Sequence, residues 1–70
     1  MEQVETLSDA LPHEMARVRV LLGHYKAIGP GGELGAVLIE MDLGAADRAI
    51  RDGDVVAMLV ALVILRSIKS

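Results

Sequence analysis

The stretch "VVAMLVALVIL", residues 55 to 65, is eleven apolar residues in succession within a chain of 70. Whether it forms a strand, a membrane segment or a helix decides the fold. Its valines and isoleucines suit a buried strand, but a lone strand would have no partner in this chain. Ala57, Met58, Leu59, Ala61, Leu62 and Leu65 are good helix formers, and Asp54 stands ready as an N-cap. A helix over about 54–69 is therefore expected. A bilayer span needs about 20 residues at roughly 1.5 Å each, whereas this run supplies about 16 Å before Arg66 and Lys69 interrupt it. The segment reads as a helix that is apolar on every side.

Composition narrows where such a helix can be buried. Seventy residues make one domain, and a domain of this size buries only about 60% of the surface its unfolded chain exposes. There is no cysteine, so disulfides and thiolate metal sites are excluded, and two histidines are too few for an ordinary closed zinc site without carboxylates. Of the usual staples for a small scaffold, oligomerisation remains. Hydrophobic content is 53% and mean hydropathy +0.46, with Tyr25 the one aromatic residue, so the core must be aliphatic. The N-terminal "MEQVETLSDALP" has no basic segment followed by an apolar one; with the missing cysteine, this fits the cytoplasm.

Two further helices precede the apolar one. Ser8 or Asp9 can cap a helix over about 9–28, with Pro12 in its first turn. Leu11, Met15, Val18, Leu22 and Tyr25 form its seam, widened by Leu21. "IGPGG" ends it, with Gly29 as a left-handed cap. The second helix, about 31–52, carries two apolar stripes: Leu34, Leu38, Met41 and Ala45, then Ile39, Leu43, Ala46 and Ile50. Two stripes suggest two neighbours and hence the central element. Gly35 and Gly44 within it leave two readings open, close backbone approach or simple drift. Gly53 can cap this helix at its C-terminus, so that Asp54 begins the next after a sharp corner. The expected fold is all-α: a short helical hairpin plus a third apolar helix, with residues 1–8 a flexible N-terminus and 9–70 a single helical domain. Three such helices form a protomer of a homo-oligomeric bundle.

The oligomer follows from energetics. Within one three-helix bundle about four large aliphatic side chains of the third helix would stay exposed, worth about 6–12 kcal/mol if buried elsewhere, comparable to a whole domain's stability. Val56, Met58, Leu59, Val60, Leu62, Val63 and Leu65 are accordingly expected at the oligomer interface, most simply in a two-fold dimer. Ala57 and Ala61 offer a face for close approach. Residues 13–28 carry a net charge of +2 and residues 29–53 a net charge of −3, so opposite charges can set the register between the first two helices or meet across the interface.

Chemistry is harder to find. "HE" at 13 and 14 would need a second histidine at 17 to bind zinc as a metalloprotease helix does, and that position is Arg17. His13, Arg17 and His24 share a face and form a candidate partner surface, against the alternative of ordinary solvated side chains. "GPGGELG", residues 29 to 35, lacks the preceding strand and the Lys-Ser/Thr pair of a phosphate loop and reads as a helix-to-helix turn. The third helix has no side chain to read a base edge, and no stretch is basic enough to track phosphates. Neither enzymatic activity, cofactor, metal nor nucleic acid is expected. The function read from the sequence is protein–protein interaction; the alternative is a small membrane-associated protein whose last helix lies at an interface.

Residues 10 to 59 resemble small helical proteins of proteobacterial prophages, notably from the early regions of Mu-like transposable phages. "LPHEMARVR" (11–19), "HYKAIGP" (24–30) and "DGDVVAM" (52–58) carry the likeness. The last helix of that group continues with polar and aromatic residues, whereas here "LVALVILRSIKS" (59–70) opens on seven apolar ones. The resemblance implies a non-enzymatic phage product that acts by binding a host protein.

Overall fold

Thr6 starts the first helix. In the computed structural model, which describes residues 6–69, its hydroxyl oxygen accepts a hydrogen bond from the Asp9 amide at 3.3 Å and donates one to Asp9 Oδ2 at 2.9 Å. Helix α1 therefore runs Leu7–Ile28, two residues earlier than a Ser8 cap would place it and three earlier than an Asp9 cap. Of the expected flexible stretch 1–8, residues 1–5 lie outside the described residues, and residues 6–8 are the cap and first turn. The earlier start moves Pro12 out of the first turn into the helix proper. Its missing N–H cannot donate to the Ser8 carbonyl, and both residues are exposed.

The α1–α2 connection is tight. Gly29 has a positive φ of 87° but ψ of −144°, an extended conformation open to glycine rather than the expected left-handed helical cap. Pro30–Gly32 then form one 3-10 turn leading into helix α2, Glu33–Asp52. A Cβ on Gly32 would collide with the Tyr25 carbonyl oxygen, so this turn tolerates no side chain there.

The second corner is the one the sequence describes. Gly53 adopts the left-handed conformation, φ 64° and ψ 27°. Its amide donates to the Ile50 carbonyl at 3.1 Å and the Asp54 amide to Ala49 at 3.0 Å, the two bonds of a Schellman motif. Asp54 then caps helix α3, Val55–Ser67, its carboxylate accepting from the Ala57 amide at 3.1 Å. One glycine ends a helix and the next residue begins another.

The chain is all-α, with no strand among the described residues. Every pair of helices is in contact, so the three pack as a triangle around one aliphatic core. Leu11 and Val18 of α1 and Leu65 of α3 are its most deeply buried side chains, joined by Met15, Ile39, Leu43, Met58 and Leu62. Ala46, Ala49 and Ala61 let the helices approach closely. No polar or charged side chain is buried among the described residues.

Candidate interaction surface

Helix α3 divides cleanly. Met58, Ala61, Leu62 and Leu65 recur at helical spacing and face the core, while Val55, Val56, Leu59, Val60, Val63 and Ile64 are exposed, Val56 and Val63 by 71% and 68%. Of the seven residues expected at an oligomer interface, Met58, Leu62 and Leu65 are thus claimed by the protomer's own core. A three-helix triangle takes one stripe from each member, and these three lie on that stripe. Val56, Leu59, Val60 and Val63 remain outside. At roughly 1.5–3 kcal/mol per fully buried side chain, and with the six on average a little over half exposed, about 5–10 kcal/mol of transfer free energy is left unrealised.

Helix α2 is divided in the same way, which the sequence reading did not foresee. Its second stripe, Ile39, Leu43 and Ala46, meets both neighbours at once, with Ala36 and Ala49 widening it. Ile50, at the end of that stripe, is partly exposed. Its first stripe is exposed among the described residues: Leu34 by 73% and Met41 by 64%, with Val37, Leu38 and Ala45 exposed beside them. Helix α2 does have two neighbours within the chain, α1 and α3, but in a triangle one broad stripe serves both. The outer faces of α2 and α3 point away from the core in different directions.

Shallow grooves flank the first half of α2. One, about 360 Å³, lies between Tyr25, Leu38, Asp42, Ser67 and Ile68; the other, about 410 Å³, between Lys26, Pro30, Glu33, Val37 and Glu40. Leu38 and Val37 form one wall of each, so the apolar stripe stands as a ridge. The ring of Tyr25 lies against Gly35, where a Cβ would come within 2.5 Å of it. Gly44 has only the Arg48 side chain nearby, at 3.7 Å. Close approach explains the first glycine and not the second.

Of the candidate partner surface on α1, His13 and His24 are exposed, while the Arg17 guanidinium makes two bonds within the chain. Its Nε bonds Glu14 at 2.8 Å, and its terminal nitrogen donates to the Leu65 carbonyl at 2.8 Å, tying α1 to the last turn of α3. Such a cation at a helix C-terminus complements its dipole. Among the described residues no group of histidines and carboxylates could hold a metal ion, and no helix is long and apolar enough to cross a membrane. The expected charge pairing of α1 with α2 is made once, by Lys26 and Glu40 at 3.3 Å. Ala57 and Ala61, expected to open a face for another chain, join the protomer's own core cluster.

Comparison with known proteins finds no matching family model, no similar curated protein and no similar solved structure.

Proposed function

We propose that the chain is a non-enzymatic protein–protein interaction module, a homo-oligomer that also binds a host protein as a phage-encoded modulator in the cytoplasm. The observation that carries this reading is the outer face of α3, where six large aliphatic side chains are exposed among the described residues. Contiguous apolar patches of this kind on small proteins mark association sites. The prophage resemblance supplies the host partner, and the cysteine-free composition suits a reducing compartment.

Light scattering after size exclusion tests self-association: at least a dimer is expected at micromolar concentration, and a well-folded monomer there counts against the reading. Val60→Lys tests the α3 face itself. Val60 is half exposed, so the lysine leaves the protomer folded, and it should abolish capture of a host protein that the unmodified chain retains. A second reading rests on Arg66 and Lys69, which follow the apolar face directly and would sit among lipid headgroups if α3 lay in a bilayer surface. Under that reading Val60→Lys still sediments with anionic vesicles.

A further inference from the structure

The ridge on α2 has an internal order that the α3 face lacks. Leu34, Leu38, Met41, Ala45 and Arg48 follow one another at spacings of four, three, four and three, the repeat of a two-helix seam. Its N-terminal half is bulky and its C-terminal half ends in a small residue and a cation. Glu33 opens the helix and Arg48 stands near its far end. Among the described residues, neither has an ion-pair or hydrogen-bond partner in the protomer. Asp54, by contrast, the one acid bordering the α3 face, already spends its carboxylate on the helix cap.

We propose that a second copy of this chain docks on the α2 ridge, the two α2 helices running antiparallel about a two-fold axis between residues 39 and 40. This inference rests on the self-association proposed above and assigns it to α2, leaving the α3 face for the host partner. Antiparallel pairing sets Leu38 against Met41 of the second copy and Leu34 against its Ala45, so that a large side chain always meets a smaller or a flexible one. It also carries each Arg48 to within about 3 Å, along the helix axis, of Glu33 of the second copy. Parallel pairing would instead set Arg48 on Arg48, and the two cations repel. The contact is isologous, as a two-fold interface requires, and so closes at a dimer.

Engineered thiols read the arrangement directly, because the chain has no cysteine of its own. Leu34→Cys and Ala45→Cys both fall on exposed positions, so each variant folds. When the two are mixed, allowed to exchange and mildly oxidised, the expected result is a cross-linked heterodimer of one chain with the other. Neither variant alone should cross-link, because like positions are then about 16 Å apart along the axis, well beyond the ~7 Å Cα separation a disulfide spans. Cross-linking of Leu34→Cys with itself overturns the antiparallel seam. A dimeric mass by light scattering with no cross-link in the mixture also overturns it while leaving self-association standing, with α3 as the contact. A monomeric mass removes self-association, and this inference with it.

Discussion

Gly35 and Gly44 lie in the same helix and each costs about 1 kcal/mol relative to alanine through backbone entropy, yet only one has a reason to be there. Gly44→Ala should recover about 0.5–1 kcal/mol, since its new methyl meets nothing tighter than an Arg48 nitrogen at 3.7 Å. In a domain this small that is a rise of several degrees in melting temperature. Gly35→Ala should show no such gain, because the methyl must displace the Tyr25 ring and overpacking costs about 1–3 kcal/mol. Thermal melts of the two variants side by side check the contrast; an equal rise in both would mean the ring does not rest on the helix backbone. At Gly53 the issue is dihedral. Gly53→Val should destabilise by about 1–2 kcal/mol, since a β-branched residue is strained at φ 64°, and an unchanged denaturant midpoint would argue against the left-handed cap.

Which face of each element turns inward is the question at the next scale, and a pair of lysines on α3 answers it. Leu62→Lys places an unpaired ammonium in the protomer core, where it costs several kcal/mol, so this variant should lose its helical circular dichroism at every protein concentration. Val60→Lys, two residues earlier on the outer face, should keep it. Similar loss in both would mean that α3 faces the core differently. The helices themselves, the Gly53 corner and the α1 seam were legible because capping residues and apolar spacing act locally. Thr6 was passed over because Ser8 and Asp9 are equally good caps, and only the packing of Leu7 and Ala10 against the core favours the earlier start. The choice between the two α2 stripes was not legible, because both have the same period. The turn at Pro30–Gly32 and the corner at Gly53 set the rotation of α2, and the apolar spacing within the helix does not record it. The bond of Arg17 to the Leu65 carbonyl was not legible for a related reason: the two lie 48 residues apart.

For the molecule as a whole, the aliphatic core is small and the surface ion pairs add little. Lys26–Glu40 and Asp47–Arg51 are more than half exposed, and pairs of that kind contribute about 0–1 kcal/mol. If association covers the outer faces, stability is linked to concentration, and the melting temperature should rise as the protein is concentrated from micromolar to millimolar. A concentration-independent melt would show that the protomer stands alone. Tyr25 gives this transition its own spectroscopic signal. It is the one aromatic residue in the sequence, and its ring is held against a helix backbone where the first turn and the end of α3 come together. Near-ultraviolet circular dichroism and fluorescence of the unlabelled protein therefore come from a single chromophore at a single place. If the tyrosine band fades before the far-ultraviolet helix signal, that end of the bundle opens first; if the two fade together, the three helices unfold as one.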